Sequence, residues 1–392
     1  MKSSLRTLGW MLAGVAALGA QTPANSATTQ TPPAAPAAPA PAPQAKFNNF
    51  TWKGIKLSGV ADGYYSKSFN NPVSGVNQQR NFDIDANAWD LNMLKFAIEK
   101  SPEPVGFRLD LGMGKAFTIF QSAEPTRRVD QLEPVMQAYV SIKPKNWKGV
   151  QMDFGKFFTS AGGELTETHL GWNYSRPFIY ANGPYYHFGL RTTIPVTKEF
   201  TAGFQILNGW NNVVDNNTPK TFGFTGVYTK GKVTYANFYI VGPEKFKPLK
   251  GTRHFWDQVL TINVNDKFST YLNFDLGFDR GSLPPVVATG KYGTSKWNTL
   301  GWAYRYQLNK VFAFANRYEY YHDANGFITG SAQTLKEATF TLEAKLTPYL
   351  LTRWEYRNDW SNIPYFVREA GKPLGKTQPT FVVGLVGFFG PK

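Results

Sequence analysis

The residues of this chain best suited to chemistry are charged side chains that recur at every second position. Arg108 and Asp110 are two apart, as are Arg317 and Glu319, and Arg-x-Glu-x-Arg begins at Arg353. Residues two apart point to the same face of a β-strand, so each group forms a row of charge on one face. Such rows hydrate and attract ions and small polar solutes, which is the chemistry of a water-filled passage.

Catalytic and metal-binding patterns are scarce. The four histidines lie at none of the short spacings typical of metal sites, and the sequence has neither a nucleophile-elbow motif nor a phosphate-binding loop. An esterase would need a cluster such as His254, Asp257 and a loop serine, and nothing singles that cluster out. We therefore predict no enzyme activity, no metal and no cofactor. The histidines are His169, His187, His254 and His322.

Alternating segments must position these charges. In KFSTYLNFDLGFDRG (267–281), apolar residues occupy the even positions from Phe268 to Phe278, and mostly polar residues occupy the odd ones. The segments 107–113, 299–308 and 338–345 alternate in the same way. A period of two predicts β-strands with one apolar and one polar face, and the first segment is longer than the usual strand of a soluble sheet.

The connections between these segments alternate in length. We identify seven short turns and eight long polar loops, which implies sixteen strands, and the last strand is TFVVGLVGFF. The prediction is an all-β fold: a transmembrane, antiparallel, up-and-down β-barrel of about sixteen strands within residues 47–392, closed by pairing of its first and last strands. The predicted long loops are 68–86, 115–133, 158–183, 209–219, 243–252, 280–295, 323–333 and 360–377.

Lipid suits the apolar face better than a protein core does. A soluble β-sandwich has only about seven to nine strands, and hydrocarbon requires a closed sheet because every backbone polar group must be paired. Aromatic residues near strand ends fit the girdles of such barrels at the lipid–water interfaces. The predicted girdle residues are Trp52, Trp89, Trp147, Trp172, Trp297, Tyr349, Trp354 and Trp360.

The N-terminal region predicts export. Residues 1–20 have basic residues followed by an apolar run, as in a signal peptide, and residues 21–46 form a Pro/Ala-rich linker that is either a periplasmic spacer or a tail without a special role. The net charge is +15, but no run of five basic residues occurs, so we expect a membrane surface or anionic solutes as partners and no nucleic acid. The expected location is the outer membrane, among its lipid and lipopolysaccharide.

Four stretches resemble the family of putative β-barrel porin-2, OmpL-like outer-membrane proteins. They are VMQAYVSIKP (135–144), MDFGKFFTSAGGE (152–164), NYSRPFIYANGPYYHFGLRTTIPV (173–196) and ILNGWNNVVDNN (206–217). The resemblance implies a porin-like outer-membrane barrel over about residues 50–390 and names no solute. The chain departs from the pattern because it ends in FFGPK, so its terminal aromatic residue is not its last residue, which bears on how the barrel-assembly machinery reads that end.

Loop 158–183 is the candidate for a pore constriction. One hypothesis is that it folds inward, so that Glu164 and Glu167 face basic wall residues and create a transverse field that favours anions weakly. The alternative is an external lid with Glu164 paired locally, and the wall charges are equally consistent with cross-strand ion pairs that stiffen the wall. The candidate lumen residues on the wall are Arg108, Arg191, Arg305, Arg317, Glu319, Arg353, Glu355 and Arg357.

The predicted function is a water-filled diffusion channel for small hydrophilic solutes, weakly selective for anions. Two alternatives remain open. One is a specific uptake channel, for example for oligosaccharides, with Tyr64, Tyr271 and Tyr321 as a stacking track; the other is a non-conducting structural barrel. A homotrimer, which is common among sixteen-stranded porins, would need a flat apolar patch on the outer wall.

Overall fold

The computed structural model describes residues 50–126, 132–246, 249–285 and 292–390, so the predicted signal peptide and linker lie outside the described part. Within it, the sheet has a two-residue strand, β1 (Thr51–Trp52), and sixteen long strands. The long strands are β2 (Ile55–Ser68), β3 (Ala88–Lys100), β4 (Val105–Met113), β5 (Val135–Ile142), β6 (Gln151–Phe158), β7 (Tyr186–Pro195), β8 (Phe200–Leu207), β9 (Thr221–Lys230), β10 (Val233–Gly242), β11 (Arg253–Asn263), β12 (Phe268–Pro285), β13 (Tyr292–Gln307), β14 (Phe312–Asp323), β15 (Gln333–Thr347), β16 (Leu350–Ser361) and β17 (Thr377–Phe389).

Antiparallel pairing between sequence neighbours closes these strands into a barrel. Each of β2 to β16 pairs with the strand that follows it, and β17 pairs with β2 over ten residues, from Thr380 opposite Ser68 to Phe389 opposite Gly59. β1 only extends the start of β2. The predicted sixteen-stranded up-and-down barrel is confirmed, and its closure leaves no long strand with an unpaired edge.

The strand period places apolar side chains outside and polar ones inside. On β12, Leu272 and Leu276 keep 44% and 40% of their surface exposed, whereas Asn273 and Asp275 are buried in the lumen. Side chains of a strand alternate between faces, so one register assigns all of them at once. The outer wall is the apolar band expected of a barrel in a bilayer.

Short turns connect the strands at one end of the barrel and long loops connect them at the other. The long connection after β4 contains a helix, α1 (Lys115–Ser122), where the sequence predicted only a polar loop. Phe117 and Phe120 of α1 are buried against residues of other loops and of the wall, because this connection carries its own apolar face. No helix among the described residues is long and apolar enough to cross a bilayer.

The connection between β6 and β7, residues 159–185, is called the inner loop below. It contains the one-turn helices Thr168–Leu170 and α2 (Phe178–Ala181). Most of its residues are buried, and Leu170 is the one residue of 159–185 that is exposed. A loop at the surface would leave many of them in water, so this segment is packed within the barrel.

Two predicted girdle residues are placed elsewhere. Trp172 belongs to the inner loop, and Trp297 is 1% exposed and points into the lumen. Trp297 has the inward parity of β13 and lies opposite Gly277, where a methyl group would overlap the indole. By contrast, Trp89 is 80% exposed on the outer wall, as a girdle residue should be. Residue type alone therefore did not distinguish the two faces; parity did.

A glycine on the inner face makes room for the inner loop. A methyl group on Gly384 of β17 would overlap the Tyr174 ring, whereas on Gly387 of the same strand the nearest atom would be 4.0 Å away. We expect Gly384→Ala to cost about 1–3 kcal/mol through overpacking and to lower the thermal unfolding midpoint in detergent. Gly387→Ala is the matched control, and equal midpoints for the two variants would contradict a tight contact between wall and loop.

The inner loop and the candidate pore

The inner loop crosses the lumen from its own strands to the far wall. The Gly162 N–H donates to Asp257 of β11 and the Gly163 N–H to Asn273 of β12, both at 2.9 Å. Farther along, the Tyr174 hydroxyl donates to Asp62 of β2 at 2.8 Å. The loop is thus attached to strands on opposite parts of the wall and lies inside the barrel, not over it as a lid.

Wall carboxylates satisfy backbone donors of the inner loop. Glu355 of β16 accepts from the N–H groups of residues 174 and 175, at 2.6 and 2.9 Å. Glu319 of β14 accepts from those of residues 178 and 179, at 2.5 and 3.0 Å. Residues 174 and 175 are irregular and residues 178 and 179 begin α2, so none of these buried N–H groups has a partner within a sheet or helix and each needs one from elsewhere. These two glutamates therefore hold the loop to the wall.

Wall guanidinium groups bind the carbonyl oxygens of the same loop. Arg353 donates to three of them, those of residues 168, 171 and 173, at 2.5 to 2.8 Å. Arg317 donates to the Ser175 carbonyl at 2.8 Å and Arg357 to the Arg176 carbonyl at 2.5 Å. The loop is thus bound through its backbone by both signs of charge.

The two predicted loop glutamates touch basic wall residues directly. Glu164 lies 3.2 Å from Arg317 and accepts from the Tyr271 hydroxyl at 2.7 Å. Glu167 pairs with Lys95 of β3. Both carboxylates are less than a tenth exposed, so they neutralise adjacent cations and do not face basic residues across open water.

Four predicted wall arginines form cross-strand ion pairs with two glutamates. Arg317 and Arg357 both contact Glu337, at 2.5 and 2.7 Å. Arg305 and Arg353 both contact Glu343, at 2.8 and 2.6 Å. At Glu343 one carboxylate between two guanidinium groups leaves a net positive charge, whereas at Glu337 two further carboxylates pair with the same arginines and remove that excess. The arrangement stiffens the wall and biases its potential at the same time.

The remaining two predicted arginines pair away from these clusters. Arg108 contacts Asp110 at 2.8 Å and Glu99 at 3.0 Å. Arg191 contacts Asp153 at 2.8 Å and lies over the Phe157 ring at 4.4 Å. Arg191 also donates to the Phe158 carbonyl at 3.4 Å, directly before the inner loop, and no contact among the described residues joins it to Glu164 or Glu167.

Sequence reasoning missed Lys95, which binds both Asp110 and Glu167. β3 has a bulge opposite Asp62, which moves Lys95 to the inward parity. The bulge is visible in the sequence as the spacing of Leu91 and Leu94. Both side chains face outward, although residues three apart on a regular strand would face opposite sides. That break in the period of two was the available signal.

Between the inner loop and the short-turn end lies a cavity of about 480 Å³, called the vestibule below. Its charged lining consists of four basic residues and two glutamates. Residues 169–172 of the inner loop form part of its boundary, and Tyr349 and Phe388 contribute aromatic rings. The charged lining residues are Lys95, Arg108, Glu167, Arg305, Glu343 and Lys345.

The long-loop side of the lumen is filled by packed loops. Arg80, from the connection between β2 and β3, is fully buried and binds Asp359 at 2.9 Å. The proposed stacking residues Tyr64, Tyr271 and Tyr321 are at most 7% exposed, because the inner loop and its neighbours cover them. They therefore form no open aromatic track. No group of three or more potential metal ligands lies together among the described residues.

His169 stays neutral where the inner loop meets the vestibule. Burial lowers its pKa to about 4, and its ring stacks on Phe388 with centroids 4.5 Å apart. For Glu167, burial raises the pKa, but the attraction of Lys95 outweighs it and the net shift is downward. At neutral pH the loop therefore presents an uncharged imidazole beside an ionised carboxylate.

A family model supplies the decisive comparison. The model described as putative beta-barrel porin-2, OmpL-like, matches residues 54–389. This chain belongs to that family. It is a porin-type β-barrel of the outer membrane, as its sequence predicted. Among curated proteins, none matches its sequence.

Solved structures agree with this porin in fold. The anion-selective porin from Comamonas acidovorans has a TM-score of 0.58 at 10% identity, over 86% of this chain and 99% of that one. The outer membrane channel DcaP of Acinetobacter baumannii has a TM-score of 0.56 at 11% identity, over 86% of this chain and 96% of that one. The trimer form of OmpT from Vibrio cholerae has a TM-score of 0.54 at 9% identity, over 86% of this chain and 99% of that one. At such identities the likeness establishes the fold alone.

Removing Arg353 should loosen the inner loop of this porin. We expect Arg353→Gln to cost about 3–5 kcal/mol, because a buried ion pair and three bonds to loop carbonyls are lost. In planar bilayers the variant should show larger and noisier single-channel currents than the wild type. Arg280→Gln is the control, since that guanidinium lies over the Phe278 ring on the outer wall. Unchanged currents in Arg353→Gln would contradict a loop held by this residue.

The lowered pKa of His169 predicts that acid reduces the stability of the folded porin. Between pH 6.5 and about 4 the unfolded chain binds a proton that the folded chain excludes, so stability falls as the pH decreases through that window. In His169→Gln the fall in unfolding midpoint between pH 7 and 5 should be smaller. His322→Gln, on the outer face of β14, should keep the wild-type fall. Equal falls in wild type and His169→Gln would refute the assignment.

Proposed function

We propose that this porin is a diffusion channel for small hydrophilic solutes with a weak preference for anions, and that the inner loop forms its narrowest section. The observation that carries the proposal is a loop bound across the lumen of a closed barrel, next to a cavity lined by charged residues. A closed sixteen-stranded barrel encloses more space than wall side chains alone can fill, so a crossing loop is what limits passage.

The preference for anions follows from the charges around the vestibule. Six basic residues and four carboxylates, which either line the vestibule or are connected to lining residues through one or two ion pairs, leave two positive charges. A cavity with low-dielectric walls and an excess of one sign concentrates the opposite ion. The structurally similar Comamonas acidovorans protein is itself described as anion-selective. The ten residues are Lys56, Lys95, Glu99, Arg108, Asp110, Glu167, Arg305, Glu343, Lys345 and Arg353.

One observation favours a second candidate, a non-conducting structural barrel. The long-loop side of the lumen contains fully buried charged residues such as Arg80, Arg176 and Asp83, which water does not reach in this conformation. A barrel of that kind would anchor or support the outer membrane without transport. Conductance of the purified porin in planar bilayers separates the two, because a structural barrel gives none.

Family and fold point to a channel rather than an enzyme, and we propose that the porin has no catalytic activity and needs no cofactor.

We also propose that residues 1–20 are removed on export, that 21–46 act as a periplasmic linker, and that the barrel-assembly machinery inserts the porin among lipid and lipopolysaccharide. A homotrimer is proposed because a structurally similar porin has a trimer form. Migration of unheated samples on gels tests the trimer.

The anion preference is testable by reversal potentials under a salt gradient. Lys345 is exposed in the vestibule and has no carboxylate within 4 Å among the described residues, so its charge acts on permeating ions without local compensation. The wild type should prefer chloride, and Lys345→Glu should shift the reversal potential towards that of a cation-selective channel. Lys336→Glu, exposed on the outer wall of the same strand, should shift it much less.

A clear cation preference of the wild type would refute the anion preference and leave the channel in place. Absence of any conductance would refute the channel itself and favour the structural barrel.

A further inference from the structure

The vestibule has the size of a small-molecule site. Its volume of about 480 Å³ lies within the range of roughly 300–1,000 Å³ typical of ligand pockets. It is formed by the inner loop, by wall strands that include β3, β4, β13 and β15, and by the start of β2 with the end of β17. Each of these parts contributes a different chemistry.

Two cations of the vestibule keep donors available for a ligand. Arg305 donates one bond, to Glu343 at 2.8 Å, and its other N–H groups have no acceptor among the described residues. Glu343 is itself bound to Arg353, so its charge is shared between two guanidinium groups. Lys345, two residues away on the same face of β15, has no hydrogen-bond acceptor in the described part of the chain.

Flat and apolar groups occupy the loop side of the same cavity. Trp172 lines it with a partly exposed indole, and Leu170 is 51% exposed beside it. Phe388 completes this surface, with the neutral His169 ring stacked on it. A channel that only passed hydrated ions would have no use for exposed apolar surface here. An exposed apolar patch next to convergent polar groups is a usual sign of a binding site.

We propose that the vestibule binds small aromatic carboxylates, with the carboxylate on Arg305 and Lys345 and the ring against Trp172 and Leu170. Arginine suits this role because its planar group matches a carboxylate, and a free lysine adds charge without a fixed geometry. The proposal deepens the proposed channel function, since it names a solute class that the channel would retain and pass. It involves binding only, with no covalent step.

The test uses benzoate, its neutral isostere benzamide, and acetate, all at one ionic strength. Isothermal titration of the detergent-solubilised porin should detect benzoate, with benzamide and acetate each at least about tenfold weaker, because one lacks the charge and the other the ring. In planar bilayers, benzoate should also block single-channel currents in a concentration-dependent way.

Variants separate the two halves of the site. Lys345→Gln and Arg305→Gln should each weaken benzoate binding about tenfold or more, the range of a lost charged hydrogen bond. Trp172→Leu should weaken benzoate and leave acetate unchanged. Lys336→Gln is the matched control on the outer wall and should bind as the wild type does. Circular dichroism of each variant confirms a folded barrel before titration.

Three results would overturn the proposal: equal binding of benzoate and benzamide, wild-type affinity in both charge variants, or no binding of benzoate at all. Titration does not depend on conduction. If the porin binds benzoate but passes no current, the channel is refuted and the binding site is supported. If it conducts but does not bind benzoate, the channel is supported and the binding site is refuted.

Discussion

The pairing of β17 with β2 is the constraint on which the rest of this structure depends. In hydrocarbon, an open sheet edge would leave a row of N–H and C=O groups unpaired, each at a cost of several kcal/mol. Closure removes that edge, and its register also assigns every residue of both strands to a face. Val382 and Val386 therefore face the lumen, while Leu385 between them faces lipid. The same parity propagates from strand to strand around the barrel.

Closure creates a second problem, which the inner loop solves. The enclosed space is too large for wall side chains to fill, and a loop that enters it brings backbone groups that need partners. Wall residues of both signs meet this need: Glu319 and Glu355 accept from loop N–H groups, and Arg353 donates to loop carbonyls. Burial of these charges is costly in isolation, and their mutual pairing offsets that cost. The polar face of the strands thus binds the inner loop, in addition to lining the space available to solutes.

Much of the fold could be predicted from sequence, because a period of two sustained over more than ten residues is characteristic of β-strands and of little else. The failures were local: residue type assigned Trp297 to a girdle although its parity is inward, and a bulge concealed an inward lysine of β3. The candidate site was harder, because sequence identifies which charges face the lumen but not which of them meet. Glu164 and Arg317 are 153 positions apart and touch, and that contact depends on how far the inner loop reaches. Pairs between neighbouring strands, such as Glu343 with Arg353 directly opposite, follow more simply from strand order.

The two halves of the lumen differ in how their charges are buried, and in the proposed channel this difference would place selectivity on the short-turn side. On the long-loop side, charges such as Arg80 and Asp359 are buried in contact with each other, so they present little field to a passing ion. On the short-turn side, Lys345 is exposed and Arg305 keeps unused donors, so a solute entering there would meet their charge directly. The inner loop between them is fixed at several strands at once, and displacing it requires breaking many of those bonds together. In the channel proposed above, such a loop would act as a fixed filter, and the exposed charges beside it, not its motion, would set which solutes are favoured.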